Sequence, residues 1–184
     1  LGSALLKGRR IEAFLRSILG CDRFEDLNIP LKITAADYWH REPVIFDRGP
    51  LIPAIRASIS LPVIFEPVRH DGRLLIDGGV ISPLPHDLIR NDCDYLIAID
   101  ISGSIAPNHN KARPGLFETV MEAFEALQTT LIAEKLSRSA VECYLRPRLL
   151  NYGILDFFKE KEIRASAAAD VQAFKEKLKH DLLE

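Results

Sequence analysis

The chain has 184 residues, 47% of them hydrophobic, which is enough for one domain with a sizeable core. Its 24 basic and 26 acidic residues give a net charge of -2, a balance too even for a nucleic-acid-binding protein. No stretch reaches the roughly 18 unbroken apolar residues of a membrane-spanning helix. Three widely spaced cysteines without a Cys-x-x-Cys pair favour reduced thiols over disulfides or zinc ligands.

The first part of the chain predicts a helix, a hairpin and a second, shorter helix. Apolar residues at helical spacing predict an amphipathic helix that ends before Gly20; they are Ile11, Phe14, Leu15, Ile18 and Leu19. Residues 31–36 and 44–46 predict two strands joined by a polar turn. A short helix is expected over residues 53–58.

A second hairpin leads to a single carboxylate. Gly72 marks the turn of this hairpin, and the apolar run of residues 74–76 predicts its second strand. The strand delivers Asp77 directly to Gly78 and Gly79. The hairpin therefore predicts that Asp77 stands at the end of a buried strand.

The rest of the chain alternates further helices and strands. Residues 86–91 predict a short helix, and the apolar run 95–99 predicts a buried parallel strand because it lacks alternation. An apolar stripe at helical spacing, from Leu116 to Leu131, could face lipid, but its acidic polar face favours core packing. Residues 143–147 predict an edge strand, and a helix is expected from Ile154 onward.

Asp77 is the strongest candidate for a catalytic residue. The two glycines after it carry no side chains, so a ligand or a second catalytic group could approach the carboxylate closely. The alternative is a simple turn, because Asp-Gly is a common hairpin dipeptide.

Four segments with recognisable motifs follow one another along the chain. They are Phe24-Glu25-Asp26-Leu27-Asn28-Ile29-Pro30, Thr34-Ala35-Ala36-Asp37, Ala57-Ser58-Ile59-Ser60-Leu61-Pro62, and Asp77-Gly78-Gly79-Val80 with Pro83-Leu84-Pro85 behind it. In this order and spacing, they resemble the bacterial patatin-like phospholipases. The resemblance implies an α/β fold with a mixed sheet and flanking helices, arranged as a three-layer α/β/α domain. It also implies that Asp77 partners a serine nucleophile without a histidine, with Gly78 and Gly79 lining the approach to the site.

The nucleophile of such enzymes is missing from the sequence. They carry it in a Gly-x-Ser-x-Gly elbow, preceded by a glycine-rich oxyanion loop, and both lie upstream of the matched segments. No serine of this chain has glycine two residues before and two residues after it. We therefore expect residues 1–184 to be the C-terminal part of a single patatin-like domain, an incomplete α/β/α unit with its serine upstream of Leu1.

The resemblance implies hydrolysis of fatty-acyl esters by a Ser-Asp dyad, as in a phospholipase, lysophospholipase or esterase, without a metal or other cofactor. The expected partners are a lipid or acyl-ester substrate and, peripherally, a membrane, and the expected location is cytoplasmic or membrane-peripheral. The 184 residues alone are expected to be inactive and to associate with the missing N-terminal part or with themselves. The alternative is a non-catalytic lipid-binding or regulatory module.

Two other chemistries deserve comparison with the dyad. His70 and His86 flank Asp77 in sequence, so one of them could complete a Ser-His-Asp triad, although the dyad needs no imidazole. A metal-dependent hydrolase using Asp37, Asp77 and Asp100 has no ligand spacing in its favour. Asp100 stands where a strand is expected to end, a position suited to a ligand or to a loop cap.

Overall fold

The computed structural model describes residues 8–102, 113–150, 152 and 156–183. The chain divides into two compact units, Leu1–Pro83 and Leu84–Glu184. Both units contain helices and strands, which confirms the predicted α/β class. The three-layer arrangement and the single domain over residues 1–184 stay predictions. Within the described ranges, no helix combines the length and the apolar character needed to cross a membrane.

The first unit is built around a four-stranded antiparallel sheet in the order β2-β1-β4-β3. Its elements in chain order are α1 (Arg9–Ile18), β1 (Ile33–Asp37), β2 (Pro43–Phe46), α2 (Leu51–Ser58), β3 (Val68–His70) and β4 (Arg73–Asp77). Both predicted hairpins are therefore confirmed. The inner strands of the sheet are β1 and β4, and β4 carries the candidate aspartate.

The turn between β3 and β4 fixes the register of the candidate aspartate. Asp71 and Gly72 both have positive φ angles, 46° and 76°, as a two-residue type I′ turn requires. Its closing pair is His70 with Arg73. Four residues further along β4, Asp77 lies opposite Ala35 of β1. The local turn chemistry thus positions Asp77 at the far end of β4.

Helix α2 covers the sheet of the first unit and packs against β1 and β4. The contact is made by small and branched side chains: Ala35, Ala57 and Leu75 form a fully buried cluster. The helix begins at Leu51, two residues earlier than predicted. Pro53 is compatible with this start because the first turn of a helix needs no internal N–H donors.

The described part of the second unit contains one pair of parallel strands and two long helices. Its elements are β5 (Ile97–Ile99), α3 (Leu116–Arg138), β6 (Cys143–Leu145) and α4 (Glu160–Leu183), preceded by a 3-10 helix over His86–Asp92. Strands β5 and β6 pair in parallel. The predicted parallel strand is thereby confirmed, although it is shorter than residues 95–99. The core cluster of the second unit is formed by Leu84, Ala98 and Ile132.

Two burial predictions for the second unit are wrong. Strand β5 is buried only at Ala98, whereas Ile99 is 51% exposed. In α3 the predicted core stripe is largely open, with Leu116 84% and Leu127 65% exposed, and Ile132 is the buried residue. Apolar periodicity identifies a helix face, but burial also requires another element over that face, and the described part of this unit supplies none.

Candidate active site

Asp77 is held from two sides through its backbone. On one side it pairs with Ala35 of β1. On the other, its N–H donates a hydrogen bond of 3.0 Å to the carbonyl oxygen of Ser60. Ser60 begins the loop of residues 60–66, which follows α2 and leads towards β3. The position of Asp77 therefore depends on both the sheet and this loop.

The carboxyl group of Asp77 is half-buried and has an unusual affinity for a proton. Its Oδ1 accepts a hydrogen bond of 2.7 Å from the N–H of Gly79, which closes the short turn Gly78–Val80. Burial raises the pKa of Asp77 to about 6, and the Gly79 N–H opposes this rise. Such a carboxylate is ionised at neutral pH and is a stronger base than an ordinary aspartate, so it can accept a proton from a nucleophile.

Gly78 is required by packing. A Cβ atom on Gly78 would lie 2.4 Å from the carbonyl oxygen of Thr34 in β1. The backbone of Thr34 cannot easily move away, because it belongs to an inner strand of the sheet. The turn after Asp77 can therefore lie against β1 only with glycine at this position. Gly79 has a separate role as the donor to Asp77. These two roles are structural. The additional role of both glycines in admitting a ligand to Asp77 stays a prediction.

The two flanking histidines make other contacts. His70 closes the β3–β4 turn opposite Arg73, about 13 Å along the strand from Asp77 at roughly 3.3 Å per residue. Its ring packs edge-on against Phe46. His86, in the second unit, is buried, and its ring nitrogens lie 3.1 and 3.0 Å from the carbonyl oxygens of Leu84 and Ser139. These contacts give both histidines structural roles.

Asp37 stabilises the turn between β1 and β2. Its Oδ1 accepts hydrogen bonds of 3.0 Å from the N–H groups of Trp39 and His40, and its Oδ2 lies 2.9 Å from His40 Nδ1. The bond from the His40 N–H is the main reason that the pKa of Asp37 lies below its usual value. Its Oδ2 also lies 3.7 Å from Arg73 Nη1 of β4, so this carboxylate is engaged by its own turn and by the neighbouring strand.

The sequence left open whether Asp100 binds a ligand or caps a loop, and its hydrogen bonds are those of a loop cap. Asp100 accepts hydrogen bonds from the N–H and the hydroxyl of Ser102, at 2.9 and 2.6 Å, and from the Tyr144 hydroxyl at 2.8 Å. Among the residues that the structure describes, no group of three or more His, Cys, Asp or Glu side chains could hold a metal ion.

Sequence reasoning missed one residue near the candidate base. Arg56, in the last turn of α2, is 4% exposed, and its Nη1 donates a hydrogen bond of 2.8 Å to Ser60 Oγ. The Ser60 hydroxyl in turn donates to the carbonyl oxygen of Arg56 at 2.7 Å. The available signal was a single charge inside an apolar helical segment, four residues before Ser60.

The comparison with protein families gives a match to the same region. The model of the patatin-like phospholipase family matches residues 1–89, a range that includes the whole first unit and the turn at Asp77. Residues 1–89 are therefore similar to the patatin-like phospholipase family. This relationship supports lipid hydrolysis as the activity of the family.

Similar curated proteins extend the relationship along the chain. An uncharacterized NTE family protein of Mycobacterium tuberculosis is 39% identical over 115 residues, which cover 62% of this chain and 32% of that protein. A second uncharacterized NTE family protein of that organism is 28% identical over 190 residues, covering 91% of this chain and 32% of the relative. Patatin-like phospholipase domain-containing protein 7 of Mus musculus is 28% identical over 186 residues, which cover 88% of this chain and 14% of that protein. The chain thus spans about a third or less of these relatives.

Proposed function

We propose that the complete protein is a serine acyl hydrolase that cleaves fatty-acyl esters of lipids, with Asp77 as its catalytic base. The observation that carries this proposal is the half-buried carboxyl group of Asp77, whose pKa is raised to about 6. It stands at the Asp77-Gly78-Gly79 turn, inside the segment that matches the patatin-like phospholipases. Because no serine of this chain has the elbow sequence, we place the nucleophile and the oxyanion donors upstream of Leu1.

The proposed reaction begins with proton transfer to Asp77. A serine hydroxyl loses its proton to the carboxylate while its oxygen forms a bond to the acyl carbonyl carbon. N–H donors stabilise the resulting oxyanion. The intermediate then breaks the bond to the alcohol, which leaves with the proton from Asp77. Water attacks the acyl-enzyme in the same way, releasing the fatty acid and restoring the serine.

We also propose that the protein contacts a lipid surface peripherally. The turn between β1 and β2 exposes two neighbouring aromatic residues, Tyr38 and Trp39, with Trp39 72% exposed. Their rings meet edge to face at 4.7 Å. Tyrosine and tryptophan are suited to the boundary between water and lipid because each combines an apolar ring with a polar group.

Labelling with a fluorophosphonate probe tests the location of the nucleophile. In the complete protein, we expect one modified serine, upstream of Leu1 and within a Gly-x-Ser-x-Gly sequence, when labelled peptides are mapped by mass spectrometry. The 184-residue chain alone, as the matched control, should not react, because the nucleophile of a cooperating catalytic unit is worth on the order of a million-fold in turnover.

Two outcomes would overturn this assignment. A modified serine inside residues 1–184 would mean that the nucleophile lies in this chain. A complete protein that neither reacts with the probe nor hydrolyses a nitrophenyl ester would favour the alternative, a non-catalytic lipid-binding or regulatory module.

A further inference from the structure

The loop of residues 60–66 contains a strained residue. Val63 has a φ angle of +73°, in the left-handed region that a β-branched side chain rarely adopts. Such a conformation costs about 1–3 kcal/mol and persists only where surrounding contacts determine it. The side chain of Val63 is 47% exposed, so packing of that side chain is not what determines its conformation. The loop must be held elsewhere.

Arg56 holds the loop at both ends. Its Nη1 donates to Ser60 Oγ at 2.8 Å, and its Nη2 donates to the carbonyl oxygen of Glu66 at 3.1 Å. Its guanidinium also lies over the ring of Phe65, 5.4 Å from the ring centre. One side chain therefore contacts the first residue, the last residue and an aromatic ring of the same loop.

This arrangement is costly for the fold. Arg56 is buried, and burial lowers the pKa of its guanidinium. Its ion-pair partner is Glu12, with 4.0 Å between Arg56 Nε and Glu12 Oε1, and the Glu12 side chain is 42% exposed. Removing a charge from water costs several kcal/mol, and apolar residues of similar volume often stabilise a core better. The benefit of Arg56 therefore lies in the geometry that it imposes.

The geometry it imposes reaches Asp77 through Ser60. The Ser60 hydroxyl is bonded to Arg56 on both its donor and acceptor sides, which leaves this residue little freedom. The Ser60 carbonyl oxygen accepts the hydrogen bond from the Asp77 N–H at 3.0 Å. We propose that Arg56, acting through Ser60, is a positioning residue that holds Asp77 in its catalytic orientation. This inference rests on the proposed function of Asp77.

The influence of Arg56 is transmitted by hydrogen bonds and not by its charge. Among the described residues, burial raises the pKa of Asp77 and the Gly79 N–H opposes this rise; no cation contributes to the shift. A nearby cation would lower it. Arg56→Lys should therefore fail to replace Arg56, since an ammonium keeps the charge but cannot reach both loop ends with a planar fork.

The test uses the complete protein with Arg56→Ala, Arg56→Lys and Ser60→Ala, and with Arg48→Lys and Ser17→Ala as exposed controls. We expect the first three variants to lower kcat about 10- to 100-fold with KM within about twofold, as misplacement of a catalytic group does. The acid limb of their pH profiles should move to lower pH as the carboxylate gains water. Methylguanidinium should restore part of the kcat of Arg56→Ala, and the controls should match the parent protein.

Hydrogen exchange at the Asp77 amide provides a readout that does not depend on activity. It should accelerate in Ser60→Ala and Arg56→Ala, because the backbone carbonyl of residue 60, which accepts the Asp77 N–H, is then no longer held in place by the Arg56–Ser60 hydrogen bonds. Unchanged exchange and unchanged kcat in folded Ser60→Ala would overturn the inference, even if Arg56→Ala fails to fold. Faster exchange together with full activity of Asp77→Asn would instead overturn the proposed function and leave Asp77 anchored but not catalytic.

Discussion

At the scale of single residues, Asp77 couples catalytic potential to a cost in stability. Burial raises its pKa to about 6 in the folded protein, whereas an unfolded aspartate has a pKa of about 3.9. The folded state therefore binds the proton more tightly, and stability falls as the pH rises from about 4 to 6. Above pH 6 the full cost of holding the charged carboxylate remains.

Asp77→Asn should for this reason stabilise the protein at pH 8. Asparagine keeps the acceptor for the Gly79 N–H but carries no charge. Because each pKa unit corresponds to about 1.36 kcal/mol, we expect a gain of about 3 kcal/mol. Most of the gain should be lost at pH 4, where the folded aspartate is protonated and about half of the unfolded aspartate is protonated as well. Thermal unfolding at the two pH values measures it. A variant that is less stable at pH 8 would mean that the carboxylate is better solvated than its burial indicates.

The residues of the candidate site were predictable to different degrees. Asp77, Gly78 and Gly79 could be predicted, because together they form a local motif that is recognisable in the sequence alone. Arg56 could not, because its role depends on contacts with Ser60 and Glu66 that arise only once the loop is folded. The packing of Gly78 against Thr34 is likewise a contact between distant segments, invisible in either one alone.

At the scale of elements, short-range signals predicted most of the first unit. The turn at Asp71 and Gly72 specifies its type, its register and hence the position of Asp77. The exposure of β5 and α3 was not predictable, because apolar periodicity cannot reveal whether another element covers a face.

The β1–β2 turn is the element on which lipid contact can be measured. Trp39 is the only tryptophan of the sequence, so the emission of this chain reports on that turn alone. We expect a blue shift of the emission when vesicles of phosphatidylcholine and phosphatidylglycerol are added, because the indole leaves water. Tyr38→Ser should weaken binding in vesicle sedimentation. Emission that is unchanged at saturating vesicle concentrations would contradict contact at this turn.

This contact would anchor the protein away from the proposed chemistry. The Tyr38 N–H donates to the Leu74 carbonyl oxygen near the start of β4, whereas Asp77 ends that strand. The lipid contact proposed at the turn is therefore separate from the approach of a substrate to Asp77.

At the scale of the whole molecule, the chain covers a third or less of its relatives and leaves large apolar residues open. The second unit exposes Ile99 on β5 and Leu116 and Leu127 on α3. Large apolar patches are uncommon on soluble monomers, because they favour association. We propose that these residues are covered by upstream sequence of the complete protein or by another copy of the chain.

The 184-residue chain alone should therefore oligomerise or bind a hydrophobic dye. Light scattering and dye fluorescence measure the two outcomes, and Leu116→Ser with Leu127→Ser should reduce both, whereas the exposed Leu182→Ser in α4 serves as a control. A monodisperse monomer that does not bind dye would mean that no upstream sequence or second copy is needed to cover these faces.

The catalytic role of Asp77 is tested most directly by the turnover of Asp77→Asn in the complete protein on a fatty-acyl ester. We predict a loss of kcat/KM of about 10²- to 10⁴-fold, because the substitution removes the base and keeps its size and hydrogen bond. The matched variants Asp47→Asn, His70→Ala and His86→Ala should stay within a few-fold of the parent protein. Activity of Asp77→Asn within that same range would contradict the account, and an equal loss in either histidine variant would replace the dyad with a triad.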